Sequence, residues 1–219
     1  RNDPEILFNL GGVYLLRDMY EAAADAFEKA IKIDPTDTTG YANLAAAYGM
    51  LKAYDKEIGA LKKVLMFDPE NKELRAALSN AYFNSDRFEE AIDAAICVVE
   101  IDEKDTQAYC NLGSCYAAQN MVDDAITAFN KASELAPDYS LPHTNLGTLY
   151  ANMGRPETAI KELKISVSLN GQDAGAWMNL YACYKEVGLM EESQNAFSKY
   201  EAILNAPELE QAPGGDNPS

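Results

Sequence analysis

The sequence is poor in histidine, tryptophan and positive charge. Its 219 residues hold one His and one Trp, and 18 Lys and Arg stand against 35 Asp and Glu, a formal net charge of −17. Phosphate backbones and anionic leaflets are held by Lys/Arg surfaces, so nucleic acid is excluded as a partner and no membrane docking is expected. One histidine, His143, among scattered serines supplies no nucleophile–base pair. Gly11-Gly12 sits inside an apolar helical stretch and is no phosphate loop. Catalysis by this segment is not expected. The four cysteines, Cys97, Cys110, Cys115 and Cys183, follow no CxxC spacing, so neither a metal nor a cofactor is expected. They read as free thiols acting as small hydrophobic residues, in keeping with a reducing, cytoplasmic setting. No apolar run approaches the ~18 residues of a membrane span, and no signal-like segment opens the chain. The start at Arg1 leads us to expect a trimmed or processed product, with any targeting or anchor segment lying upstream.

What is abundant is periodicity. Tyr14, Tyr48, Tyr82, Tyr116, Tyr150 and Tyr184 recur every 34 residues, each preceded four positions earlier by Leu10, Leu44, Leu78, Leu112, Leu146 or Leu180. Self-similarity at that period signals stacked copies of one small unit. In the first copy, Asn9 to Leu16 is apolar at helical spacing, Arg17-Asp18-Met19 interrupts it, and Tyr20, Ala23, Ala24, Phe27, Ala30 and Ile31 resume it. Asp34-Pro35 stops the second helix, because proline lacks the amide donor and disfavours a helical residue before it. Two short helices about a tight turn make an antiparallel hairpin, and neither persists alone in water. Gly11, Ala45, Ser79, Gly113 and Gly147 after the leucine, with Ala23, Ala91, Ala125 and Ala159 opposite, let the two helices approach closely. Asp34, Asp68 and Asp102 are expected to cap the helix that follows each of them. Glu57 replaces a packed alanine, either snorkelling outward or half-buried with a raised pKa.

This pattern resembles the tetratricopeptide repeat. The first unit reads Leu7, Leu10, Gly11, Tyr14, Ala23, Phe27, Ala30, Pro35, the fourth Tyr109, Leu112, Gly113, Tyr116, Ala125, Phe129, Ala132, Pro137, and the sixth opens with Trp177. The resemblance implies an all-α fold, a right-handed α-solenoid (superhelix) of antiparallel helix hairpins. The expected organisation is one array over residues 1–204, with repeats at about 4–37, 38–71, 72–105, 106–139, 140–173 and 174–204. A disordered acidic, Pro- and Gly-containing tail is expected over 205–219. The sixth repeat is atypical, with Tyr181, Ser193 and Gln194 at packing positions, as terminal units tend to be.

In such a superhelix the first helix of each hairpin lines the concave wall. At one inward position stand Asn9, Asn43, Asn111, Asn145 and Asn179, broken only by Ala77. An amide offers donors and an acceptor together and can pair with the backbone of an extended peptide. The alternative is that each bonds to the neighbouring helix. The series is similar to the asparagine ladder of O-GlcNAc transferase superhelices. The rest of the expected groove includes Phe8, Asn80, Cys110, Thr148, Asn152 and Met178, with Phe8 and Met178 able to grip apolar anchors. The carboxylate clamp of chaperone-binding repeats needs positive charge. Its matching positions here are Phe8, Gly12, Asn43, Glu73 and Ala77, of which only Asn43 fits. These readings converge on a protein or peptide partner, basic or neutral, held by a non-enzymatic adaptor. A homo-oligomeric scaffold and the substrate-recognition arm of a larger transferase are the alternatives.

Overall fold

The computed structural model describes residues 3–206, and the expected tail beyond Ala206 lies outside the described residues. The fold is all-α. Twelve helices pair as hairpins, and no strand occurs among the described residues. Two compact units divide the chain, one ending at Pro137 and the other beginning at Asp138. The first contains α1 (Pro4–Leu15) with α2 (Tyr20–Ile33), α3 (Thr38–Met50) with α4 (Tyr54–Leu65), α5 (Lys72–Asn84) with α6 (Phe88–Ile101), and α7 (Thr106–Ala118) with α8 (Val122–Leu135). The second contains α9 (Leu141–Asn152) with α10 (Pro156–Leu169) and α11 (Ala174–Glu186) with α12 (Met190–Leu204).

The hairpin turn is built the same way six times. Asp18, Lys52, Asp86, Asn120, Gly154 and Gly188 each take a positive φ, between 55° and 81°. The next residue's amide then donates to the carbonyl of the ladder tyrosine, as in Met19 to Tyr14 and Ala53 to Tyr48, both at 2.9 Å. This is the Schellman way of ending a helix, in which one left-handed residue lets orphan carbonyls find donors. Gly, Asn and Asp tolerate that conformation, whereas lysine adopts it at a cost of roughly 1–2 kcal/mol. Lys52→Gly is therefore expected to stabilise the chain by about 0.5–1 kcal/mol, the relief being partly offset by glycine's larger backbone entropy. A urea titration checks this as a higher midpoint at unchanged slope.

Five of the six first helices, all but α9, start on side-chain caps, but not on the aspartates expected. Asp37, Asn71, Asp105 and Asp173 accept amide hydrogen bonds from Gly40, Leu74, Ala108 and Ala176, and Asp3 accepts from Glu5. Asp34 and Asp102 instead end the preceding helix, and their carboxylates accept from the amides of Thr36 and Lys104. Asp68 accepts from the Asn71 side chain. The correction has a simple cause. The proline after Asp34 and Asp68 still belongs to the connecting turn, so the next helix begins three residues later than a cap at Asp34 would require.

Within a hairpin the close approach is steric fact. A Cβ placed on Gly11 would lie 2.6 Å from the Phe27 ring, and one on Gly113 would lie 2.6 Å from the Phe129 ring. Where serine stands, at Ser79, its hydroxyl is buried and donates to the Ala91 carbonyl at 2.8 Å. Ala23, Ala91, Ala125 and Ala159 are fully buried opposite. Between hairpins, Leu44 and Ala47 of α3 cluster with Ala24, Phe27 and Ile31 of α2. Leu78 and Ala81 of α5 cluster likewise with Ile58, Leu61 and Leu65 of α4. In the second unit Leu180 and Cys183 of α11 join Ile160, Leu163 and Val167 of α10. α2, α4 and α10 thus each present an apolar stripe at i, i+3 and i+7 to the first helix of the next hairpin.

Glu57 lies half-buried, with its carboxylate turned toward Gly49 of α3. Burial raises its pKa, so the reading in which it is partly desolvated holds over the one in which it extends freely into water.

Candidate functional site

In each unit the first helices crowd together. α1 touches α3, α5 touches α7 and α9 touches α11, while no two second helices meet to that extent. The side formed by first helices is therefore the inner side of the stack in each unit, and it is where an extended partner has most surface to meet.

In the first unit that side carries Phe8 and Asn9 on α1, Asn43 on α3, Asn80 on α5 and Asn111 on α7. Asn9 and Asn80 are exposed, and Asn43 and Asn111 are half-buried. The Asn111 side-chain oxygen accepts from Gln107 Nε2 at 2.9 Å, one turn back on the same helix. The amides of Asn9 and Asn43 bond to no other described residue. Around them the face is nearly free of charge. Gly12, Ala42, Ala46, Ala76, Ala77, Ser114 and Ala118 fill it, and Glu5 and Glu73 are its ionised members. Apart from Lys72 and Arg75 on α5, the remaining charged residues of this unit lie on second helices and in connections, for example Asp25, Lys29, Asp55, Lys63, Asp93 and Asp124. Lys72, at the start of α5, bridges Asp102 and Asp105 at 2.8 and 2.9 Å. Its hydrogen bond holds the Asp102 carboxyl below the usual range.

In the second unit Asn145, Thr148 and Asn152 lie on α9, and Met178 and Asn179 lie on α11. Here the structure joins two expected site residues directly. Asn179 Nδ2 donates to Thr148 Oγ1 at 2.9 Å, and that hydroxyl donates on to the Thr144 carbonyl at 2.8 Å. At Asn179 the amide thus ties neighbouring helices, whereas Asn145 is half-buried and bonds to no other described residue. Beneath this lies a polar link across three helices. The Ser166 and Thr144 hydroxyls are 2.6 Å apart, and Thr144 donates to the Asp173 cap at 2.9 Å.

Phe8 and Cys110 stand in different settings. Phe8 packs edge-on against Phe27, with centroids 5.6 Å apart, and it borders an open cavity of about 320 Å³ shared with Glu5, Asp34 and Asp37. Its ring is half-buried, one side against the hairpin core and the other toward that open space. Cys110 is buried and not a wall residue, since position 110 turns toward the hairpin interior once Gly113 has drawn α7 onto α8. Burial pushes its thiol up to about 12, which keeps it protonated and unreactive. The apolar side chains that do stand out on the inner side are Leu16 and Met50, 88% and 58% exposed. They hold the same repeat position at the ends of α1 and α3, a coincidence readable from the 34-residue spacing but obscured by the nearby turn.

Among the described residues no group of His, Cys, Asp and Glu could hold a metal ion, and no helix is long and apolar enough to cross a membrane.

A family model described as the tetratricopeptide repeat matches residues 4–37 and 106–139, and a second of the same description matches residues 128–161. No curated protein matches. The solved structure of a protein called MamA is 28% identical, with a TM-score of 0.63 over 80% of this chain and 98% of that one. PilW, a widely conserved type IV pilus biogenesis factor, is 19% identical, with a TM-score of 0.75 over 94% of this chain and 95% of that one. YrrB, a protein of the same repeat class with an unusual peptide-binding site, is 23% identical, with a TM-score of 0.65 over 80% and 90%. The likeness to PilW and YrrB is one of fold.

Proposed function

We propose that this chain, a tetratricopeptide-repeat protein, is an interaction adaptor whose first unit holds an extended segment of a partner protein against its first helices. One observation carries the reading: a chain of net charge −17 keeps a nearly uncharged inner side there. Charge is cheap on a solvated helix, so a face built from Gly, Ala, Ser and Asn is suited to close approach by another backbone. Asn9 and Asn43 offer unengaged amides that can pair with peptide N–H and C=O groups. Leu16 and Met50 offer apolar contacts, and methionine adapts to varied partners. In the second unit Asn145 offers the same chemistry, while Asn179 is already spent on Thr148. YrrB, a protein of the same fold, has an unusual peptide-binding site, which supports the reading. A basic or neutral partner fits better than an acidic one, because the surrounding surface repels anions.

The test begins with a displayed library of unstructured twelve-residue peptides selected on the full chain. The best binder is then titrated calorimetrically against Asn9→Ala/Asn43→Ala. Losing two backbone-directed amides, at about 0.5–1.5 kcal/mol each, should weaken binding by roughly tenfold without moving the melting temperature. Equal affinity for both proteins would remove the asparagines from the site.

A further inference from the structure

Asparagine followed by glycine occurs once in the chain, at Asn170-Gly171. The pair sits in the turn between α10 and α11, and both residues are exposed. Asn170 ends α10 in an extended conformation, and its backbone amide donates to the Ser166 carbonyl at 2.8 Å. Its side-chain oxygen accepts from the Gln172 amide at 3.1 Å. The Gly171 N–H bonds to no other described residue. The nearest group that an added Cβ on Gly171 would meet is the Val167 carbonyl oxygen, at 3.7 Å, so the space around this residue is open. A free backbone nitrogen with no β-carbon beside it thus follows an exposed carboxamide. The Gln172 amide already donates to the oxygen on which charge would gather if that nitrogen attacked, as a donor does in acyl transfer.

We propose that Asn170 is a deamidation site, converted without an enzyme into aspartyl and isoaspartyl forms, and that the isoaspartyl form unseats Trp177. The Gly171 nitrogen gives its proton to a solvent base and bonds to Cγ of Asn170. The bond from Cγ to the side-chain nitrogen breaks, and that nitrogen takes up a proton and leaves as ammonia. The product is a cyclic imide, which water opens. Cleavage between Cγ and the Gly171 nitrogen leaves an aspartyl residue. Cleavage at the main-chain carbonyl carbon leaves an isoaspartyl residue, whose chain runs on through Cβ and Cγ. Water is the only co-reactant, and nothing is oxidised or reduced.

The two products differ in consequence. The same repeat position holds Asp34, Asp68 and Asp102, and Asp34 and Asp102 accept the amide two residues on, as Asn170 does. The aspartyl form therefore fits the turn. The isoaspartyl form lengthens the main chain by one carbon immediately before Gly171. The Gly171 carbonyl accepts from the Trp177 indole N–H at 2.9 Å, and the longer chain moves that acceptor. Trp177, the sole tryptophan, lines an open cavity of about 470 Å³ with Lys199 and Ile203, so its emission reports the change.

The full chain is held in mildly alkaline and in mildly acidic buffer and sampled over weeks, with a zero-time sample correcting for conversion during digestion. The tryptic peptide 165–185 contains Asn170 and Asn179, and fragmentation in a mass spectrometer assigns the mass gain of an amide turned acid to one or the other. Asn179, inside α11 and bonded to Thr148, is the internal control. Conversion is expected at 170 well ahead of 179, and faster in alkaline buffer. Gly171 lies outside the left-handed region and has room for a Cβ, so Gly171→Ala should keep its melting. It should slow conversion by roughly tenfold or more, since the added β-carbon hinders the attacking nitrogen. The aged unaltered chain should show shifted Trp177 emission, while Asn170→Asp and aged Gly171→Ala keep the starting spectrum. Four results overturn the proposal: conversion at 170 no faster than at 179, an equal rate in Gly171→Ala, conversion seen only once urea has unfolded the chain, or unshifted emission from a chain that peptide mapping shows to be mostly isoaspartyl.

Discussion

Leu44→Ala is expected to destabilise the protein by about 2–5 kcal/mol, while Leu10→Ala costs under about 1 kcal/mol. The two leucines hold the same position one repeat apart. Leu44 is 4% exposed and packs among Ala23, Ala24, Phe27, Ala47 and Tyr48, so its truncation leaves a void that rigid neighbours cannot close. Leu10 is 39% exposed, so water already reaches the space its truncation would vacate. Chemical denaturation of the two variants side by side measures the difference. Comparable losses at both sites would mean that α1 is covered in solution by something that buries Leu10.

A second contrast separates adjacent residues on one helix. Gly11→Ala is expected to cost about 1–3 kcal/mol, because the new Cβ would meet the Phe27 ring at 2.6 Å and the ring is fully buried. The higher helix propensity of alanine, worth about 0.5–1 kcal/mol over glycine, offsets only part of this. At Gly12 nothing lies within 4 Å of an added Cβ, so Gly12→Ala gains the propensity alone and should stabilise by about 0.5–1 kcal/mol. Thermal melts of the two variants should move in opposite directions. Because Gly12 lies on the inner side, the alanine variant also reports whether that position must stay small for a peptide to approach.

The helix hairpins, and the close approach of small residues such as Gly11 and Ala23 or Gly113 and Ala125, were legible in the 34-residue period. Those features depend on contacts inside one unit, and each unit repeats the same residues. The caps were legible in kind but displaced by three residues, since aspartates occur at both ends of every connection and composition alone does not say which one faces an open helix N-terminus. The positive-φ series from Asp18 to Gly188 was missed because Asp, Lys, Asn and Gly share no obvious chemistry. Only their common place in the turn reveals that each holds the left-handed conformation.

The asparagine series was visible at once, but its members were not equivalent. Asn179 is drawn to Thr148 because repeat five has a hydroxyl at that position, where the first repeats have Gly12 and Ala46. Asn43 therefore remains available and Asn179 does not. Phe8 read as a groove residue because it sits one position before Asn9. The edge-on contact with Phe27 needed the actual approach of α2 to appear.

The sequence by itself determined that this protein is a stack of helix hairpins, because a strict period repeats the same local packing wherever it recurs. Only the tertiary structure decided which copies of a repeated residue are covered. Burial belongs to the neighbour as much as to the residue: Leu44 has α2 against it, Leu10 has no described helix there, and identical side chains become core in one place and stay exposed in the other.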